Sequence, residues 1–315
     1  MQDRVEQILD GNLSTSIESA VENLCNDLLI GLPTETVYGL AALASHPKAI
    51  AKIFQVKARP TNHPLILHIA DYQQLEKWAE NIPQYAMNIC EHFWPGPLTV
   101  ILMRTTNVCD EMTGGRETVA IRIPNHKVAL SLLNSLNDGL VAPSANRFGK
   151  VSPTCAKHVV DDLGDDVSLV LDGGICDIGV ESTIIDCTLN RPQILRSGGI
   201  SKSEIEEIGE IEIAYSDGDS RAPGMLEKHY APNCRVELVD SSQQATLRFI
   251  EISAQGLTAE IIDFQDDLKL YAHQLYARLR QADERSIHTV LAVMPGGGGL
   301  GDAIRDRLIK AAASN

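Results

Sequence analysis

Two hydrophobic rhythms alternate along this chain, and the switches between them mark the expected elements. Residues 15–27 repeat on a helical period and lead into an apolar run, Leu28-Leu29-Ile30-Gly31-Leu32, expected as a strand. Residues 46–56 read as a helix ending near Lys57, and Pro64-Leu65-Ile66-Leu67-His68-Ile69 as a buried strand. Two helices are expected over 71–93, before Pro95-Gly96-Pro97 breaks the chain. Leu98–Met103 predicts a strand, and Thr118–Pro124 alternates as a strand carrying Arg122. A helix over 126–137 precedes a strand at Leu140–Ala142, which ends at Pro143-Ser144-Ala145-Asn146. Ser152-Pro153-Thr154 opens a further helix, because Thr154 is suited to cap it and Pro153 cannot continue a preceding one. Strands are expected again at 167–172, 182–188 and 193–197.

Strands and helices interleave without strict alternation, which predicts the α/β class with a mixed, twisted sheet. The pattern changes near residue 207. Residues 207–220 hold Glu207, Glu210, Glu212, Asp217 and Asp219 and no basic residue. Arg221-Ala222-Pro223-Gly224-Met225 through His229-Tyr230-Ala231-Pro232 then reads as extended chain. A passive linker needs no Met, His and Tyr, so this stretch is expected to lie over something. Residues 235–315 read as strand, helix, strand, long helix at 266–281, strand at 288–294, glycine loop and helix at 302–313. The expected organisation is a catalytic domain over 1–206, a linker and lid over 207–234, and a smaller C-terminal α/β domain over 235–315.

Composition narrows the function classes. Of 315 residues 44% are hydrophobic, enough for a full core, and only 4% are aromatic, which leaves few platforms for stacking bases. The net charge of -15 repels nucleic-acid phosphate unless cations cluster. Seven cysteines without a C-x-x-C pair fit neither a disulfide framework nor a zinc ribbon, and are expected as buried free thiols. Met1-Gln2-Asp3-Arg4-Val5-Glu6 is no signal peptide, and no apolar run has the length of a membrane span. A soluble, cytoplasmic protein without a membrane partner is expected. Gly296, Gly298 and Gly301 outline a dinucleotide fingerprint between strand and helix, but no later strand supplies the acidic ribose ligand, so a simple strand-to-helix loop is expected.

Candidate chemistry centres on Pro33-Thr34-Glu35-Thr36-Val37-Tyr38-Gly39-Leu40, placed where a strand ends, and on Lys57-Ala58-Arg59-Pro60 and His68. Ligands of open α/β sheets bind at strand ends. Lys57 and Arg59 are spaced to lie side by side on an extended segment with Ala58 turned away. Hydroxyls, a carboxylate and paired cations suit a small amino acid beside a polyphosphate. Plain structural roles also exist for each: Pro-Thr-Glu-Thr as turn and cap, Lys57, Arg59 and Arg122 as solvated charges, His68 as a core histidine, Ser144 and Asn146 as turn residues, Ser182 as a strand hydroxyl.

The motifs PTETVYGL, K-x-R-P-x-x-x-P-L-x-x-H (Lys57 to His68), WPGPLT (Trp94–Thr99), AIRIP (Ala120–Pro124), APSAN (Ala142–Asn146), ESTI (Glu181–Ile184) and LRSG (Leu195–Gly198) occur in this order. Together they resemble a YrdC-type threonylcarbamoyl-AMP synthase. The stretch Ala222–Pro232 and the final domain are similar to the longer, two-domain members. The resemblance implies a twisted α/β sheet with a concave, cation-lined cavity. It implies that L-threonine, bicarbonate and ATP, with Mg²⁺, give threonylcarbamoyl-AMP and pyrophosphate. The product would pass to a separate transferase that modifies tRNA, with direct tRNA binding weak or absent. By resemblance Thr36, His68, Arg122, Ala142 and Ser182 would hold threonine. Lys57 and Arg59 would be catalytic cations. Both would also contact ATP, together with His63, Thr118, Ser144, Asn146, Ser152, Arg196 and Tyr230. His63 departs from the family, which usually has Asn before Pro64-Leu65. No protein metal site is implied, and Glu35 and Glu181 are expected to shape loops. Competing readings are an RNA-binding module of the same fold and a carbamoyltransferase of metal-centre maturation. The latter would carry zinc-finger cysteine pairs, which are missing from this sequence.

Overall fold

The computed structural model describes residues 7–216 and 230–313. Their strands are β1 (Ile8–Asp10), β2 (Ile30–Leu32), β3 (Gly39–Leu43), β4 (Ile66–His68), β5 (Ala79–Glu80), β6 (Leu98–Arg104), β7 (Thr118–Arg122), β8 (Leu140–Val141), β9 (Leu169–Asp172), β10 (Thr183–Asp186), β11 (Gln193–Arg196), β12 (Ala214–Tyr215), β13 (Arg235–Val239), β14 (Ala259–Ile262) and β15 (Thr289–Val293). The first twelve form one mixed sheet in the order β1-β9-β2-β3-β8-β4-β7-β6-β10-β11-β12, with β5 beside β6. The last three form a parallel sheet with β15 in the middle. The α/β class, the mixed pairing and a second, smaller α/β unit are therefore as expected.

The two faces of the large sheet differ in what they cover. Along β4 and β7, Leu67, Val119 and Ile121 belong to the main core with Trp78, Val100 and Leu102. Their alternates Ile66 and Ala120 join only Ile101, Ile184 and Leu195 in a small cluster on the opposite face. His68 and Arg122, each two residues beyond Ile66 and Ala120, pair in register and share that sparsely covered face. A third cluster buries the helices Ser14–Cys25 and Lys127–Leu136 against β2, β3, β8 and β9.

The C-terminal unit packs its helix Leu268–Glu284 toward the first unit. Tyr271, Leu275, Tyr276 and Tyr230 form one core with Val37, Val151 and Val180 of the large-sheet unit. Arg280 on this helix pairs with Asp162 at 2.6 Å. The glycine loop is closed on its own helix: the Gly298 N–H donates to Asp302 Oδ1 at 2.8 Å, so the helix start is occupied by its own carboxylate.

Several local expectations differ from the structure. Strands β1 and β3 fall where no strand is expected. β3 is built from Gly39-Leu40-Ala41-Ala42-Leu43, whose small residues lack the β-branched signal. Thr154 is not a helix cap: the helix is Ala156–Leu163, with Cys155 at the N-cap and no side-chain capping bond. Lys57 and Arg59 do not lie on an extended segment. Lys57 is the last residue of the helix Pro47–Lys57, and Ala58 is a left-handed C-cap with φ 52°. This reversal lets the Arg59 N–H close the helix on the Phe54 carbonyl at 2.9 Å. The helix Lys202–Gly209 runs across the expected boundary at residue 207, and within the expected linker β12 adds to β11. The lid residues Arg221 to His229 lie outside the described residues, whereas Tyr230 is described and buried. Every cysteine is free, four of them buried. Among the described residues no helix is long and apolar enough to cross a membrane.

Candidate active site

The sparsely covered face of the sheet forms the floor of a cavity. Nine expected site residues line it: Thr36, Arg59, His68, Arg122, Ala142, Ser144, Ser182, Arg196 and Tyr230. The sheet delivers them from scattered positions, since β4 contributes His68, β7 Arg122 and β11 Arg196, while Ser182 directly precedes β10. The cavity therefore lies over the face of the strands as well as at their ends.

Five expected residues do not line the cavity. The Lys57 ammonium is buried and donates to the carbonyls of Ser144 and Asn146. Asn146 is buried beneath the same loop, and its amide donates to the carbonyls of Arg147 and Lys150. Ser152 Oγ donates to Glu181 at 2.6 Å. Thr118 shares the face of Arg122 but stands four residues down the strand, about 13 Å away. His63 meets the ring of Phe148 edge-on at 5.7 Å, and Arg59 lies over the same ring at 5.8 Å. Residues lining the cavity for which no substrate contact was expected are Thr34, Val37, Gly39, Ile66, Pro143 and Glu181. Ile66 was detectable by parity with His68, two residues on. Thr34 and Glu181 sit inside the quoted motifs, but their contacts depend on distant chain.

Local chemistry explains the arrangement. The Thr34 hydroxyl donates to the Val37 carbonyl at 2.6 Å and accepts from the Thr36 and Val37 N–H groups, fixing the turn after β2. Arg122 donates through Nη1 to Thr36 Oγ1 at 2.8 Å and through Nε to the Gly96 carbonyl at 3.1 Å. Its Nη2 lies 2.6 Å from Glu35 Oε1, an ion-pair distance without hydrogen-bond geometry. Arg196 donates through Nε to the Ser182 carbonyl at 3.0 Å and through Nη2 to Ser182 Oγ at 3.1 Å. Ser182 Oγ also lies 2.8 Å from Thr99 Oγ1.

The electrostatics are those of a desolvated cationic site. Burial, followed by the charge of Arg196, lowers the Arg59 pKa to about 10. Burial also lowers Arg196. Burial and the neighbouring Arg59 charge push the Lys57 amine well below its usual range. Burial works to raise Glu181, but Arg307, Arg196 and the Ser152 hydrogen bond outweigh it and hold the carboxyl at about 2. Burial and then Arg122 hold His68 at about 3, so its imidazole is neutral. Several buried polar atoms here have no protein hydrogen-bond partner: both Glu35 oxygens, Arg59 Nε, His68 Nδ1 and Arg122 Nη2.

The neutral histidine carries a stability consequence. A histidine held at about 3 in the fold, against an ordinary 6.5, binds its proton more tightly when unfolded. Its stabilising effect is complete above pH ~6.5 and is lost as pH falls toward 3, amounting to ~2 kcal/mol by pH 5. His158, held at about 4 mainly by burial and then by Arg280, adds to the same acid limb. Urea unfolding of His68→Asn at pH 7.5 and pH 5 is expected to show a shallower acid loss than the parent, and an unchanged slope would contradict the neutral assignment.

Comparison with known proteins agrees with this architecture. The family model of the Sua5, YciO and YrdC proteins, described as telomere recombination, matches residues 22–198. A model described as the threonylcarbamoyl-AMP synthase C-terminal domain matches residues 200–313. The threonylcarbamoyl-AMP synthase of Pyrococcus abyssi is 40% identical over 305 residues, covering 90% of this chain and 90% of its own. That of Bacillus subtilis is 39% identical over 320 residues, covering 94% and 92%. The crystal structure of P. abyssi Sua5 complexed with L-threonine superposes with a TM-score of 0.88 at 38% identity, covering 95% of this chain and 94% of that one. The chain belongs to the YrdC/Sua5 family of threonylcarbamoyl-AMP synthases, in its two-domain form.

Proposed function

We propose that this one cavity holds L-threonine against ATP and carries both halves of threonylcarbamoyl-AMP formation. The observation that carries the reading is the gathering, around a single cavity also lined by Arg196, of Arg59 Nε and His68 Nδ1, which have no protein hydrogen-bond partner, and of Arg122, whose Nη2 meets Glu35 without hydrogen-bond geometry. Native proteins rarely leave such groups unpaired, and a ligand with a carboxylate, an amine and phosphates satisfies them together. The solved relative complexed with L-threonine supports the amino-acid half.

Arg122 receives the threonine carboxylate, displacing Glu35 as its counter-charge. His68, Thr36 and Ser182 address the amine and hydroxyl, with the backbone at Ala142 closing that side. The amine attacks bicarbonate, and loss of water leaves an N-carboxy-threonine anion. One of its carboxylate oxygens attacks the α-phosphorus of ATP, and the bond to pyrophosphate breaks. Both reactants are anionic, so Arg59 and Arg196 serve mainly to cancel their repulsion and to hold them in line. No protein group forms a covalent intermediate. Tyr230 covers the nucleotide, Ser144 lies against its phosphates, and Thr118 and His63 lie toward its outer end. Lys57, Asn146 and Ser152 act through the loops they hold. The first unit carries the chemistry, Tyr230 serves as its cover, and the C-terminal unit is a docked support.

Among the described residues no cluster of three or more His, Cys, Asp or Glu is arranged to hold a metal. Glu181, which lines the cavity, and Glu35, behind Arg122, are both engaged by arginines. The donor set thus does not fit a protein-held Mg²⁺, and we assign the ion to the phosphates of the incoming nucleotide. The cavity arginines 59, 122 and 196 are each at most 8% exposed, so they offer no surface to a tRNA backbone. The product is taken to pass to a separate tRNA-modifying transferase.

The test is incubation of the protein with ATP, L-threonine and labelled bicarbonate. Label is expected in an adenylate, in amounts equal to the pyrophosphate released. Pyrophosphate release that needs neither threonine nor bicarbonate would overturn the proposal.

A further inference from the structure

Arg307 belongs to the helix Leu300–Ala312 of the C-terminal unit, yet its side chain is fully buried at the first unit. Its Nε donates to Glu181 Oε2 at 3.1 Å and its Nη1 to the Ser197 carbonyl at 2.7 Å. Its guanidinium carbon lies 5.5 Å from the centre of the Tyr230 ring. The Tyr276 hydroxyl, also from the C-terminal unit, donates to the same Glu181 oxygen at 2.9 Å. Glu181 lines the cavity and immediately precedes Ser182, the residue to which Arg196 is bonded.

A buried carboxylate beside cations meant for phosphate works against them. At low dielectric an unopposed Glu181 would draw Arg196 to itself and reduce the positive field over the nucleotide. Ser152 holds one Glu181 oxygen from the first unit, but the cation paired with the other comes from the C-terminal unit.

We propose that Arg307 is a positioning residue that, from the C-terminal unit, neutralises Glu181, so that Arg196 stays available to the triphosphate and is not drawn to Glu181, and nucleotide affinity depends on docking of that unit. The inference rests on the reading of Arg196 as a phosphate ligand. It assigns the second domain a part in substrate binding without contact to substrate.

Steady-state kinetics on the full chain test this, with ATP varied at saturating threonine and bicarbonate. Arg307→Met is expected to raise KM for ATP about tenfold, leaving kcat and the threonine KM within about twofold. Arg307→Lys, which keeps the charge but not the planar fork, is expected to stay within about threefold of the parent. Adding Glu181→Gln to Arg307→Met removes the stray charge and is expected to bring KM for ATP back to the same range. If Lys behaves like Met, or if the double variant is no better than Arg307→Met, the residue only packs and the proposal falls. Should Arg307→Met not fold, the Lys variant and the double variant decide alone, and a tenfold rise of KM for ATP in either overturns it. Arg196→Met provides the separate control. An unchanged KM for ATP in that variant would defeat the phosphate reading itself, whatever Arg307 does.

Discussion

Gly198→Ala is expected to lower threonylcarbamoyl-AMP formation by about 10²-fold, although residue 198 does not line the cavity. A Cβ there would stand 2.1 Å from the Thr183 nitrogen, 2.3 Å from the Ser182 carbonyl carbon and 2.5 Å from the Glu181 oxygen. All three are backbone atoms, so no side chain can swing aside. Relief requires β10 and the turn after β11 to separate. That movement displaces Ser182 and Glu181 together and breaks both hydrogen bonds from Arg196 to Ser182. A shift of about 1 Å at reacting groups costs about 10²-fold in rate, and overpacking of this kind costs about 3 kcal/mol of stability. Pyrophosphate release and urea unfolding, measured on one preparation, check both. A folded Gly198→Ala protein with parental turnover would show that the Glu181–Thr183 segment does not build the site.

Arg59→Ala is expected to lower kcat by about 10²- to 10³-fold, the size of loss that follows removal of one preorganised charge donor. Arg59 is anchored by donation from Nη2 to the Pro64 carbonyl at 2.9 Å and lines the cavity beside Arg196. With its pKa at about 10 it is still a cation at neutral pH. The threonine KM is expected to change little, because the proposed carboxylate clamp is Arg122. Lys57→Ala is expected to be inactive by a different route. Its ammonium ties the carbonyls of Ser144 and Asn146, so its loss releases the loop and lowers the unfolding temperature, while Arg59→Ala should unfold near the parent. Single-turnover kinetics and thermal unfolding on the two variants separate the roles. Equal thermal losses, or near-parental turnover of Arg59→Ala, would contradict them.

Much of this was legible in the chain, for identifiable reasons. Strands β4, β6, β7, β9, β10 and β11 announce themselves because they are apolar and β-branched where they are buried. The C-terminal unit follows its expected order of elements, each with a clear period. Strand β3 was hidden because glycine and alanine carry no strand signal, and β1 because its pairing with β9 joins residues 8–10 to 170–172. The cavity residues Thr36, His68, Arg122, Ser182 and Arg196 were found through motif order. Lys57 was misplaced on an extended segment because nothing in Lys-Ala-Arg signals a left-handed alanine that ends a helix. Arg307 was invisible altogether: its partners Glu181 and Ser197 are more than 100 residues away in sequence, and it sits among ordinary charges of a terminal helix.

Among the described residues the apolar cluster on the cavity side of the sheet is small, Ile66, Ile101, Ala120, Ile184 and Leu195, so stability there is expected to depend on ligand occupancy. The opposite face is glued by a broad core, whereas this one carries Arg59, Arg122 and Arg196 around a cavity, where bound anions would add to the charge balance. Occupied molecules are accordingly harder to open than empty ones, by mass action.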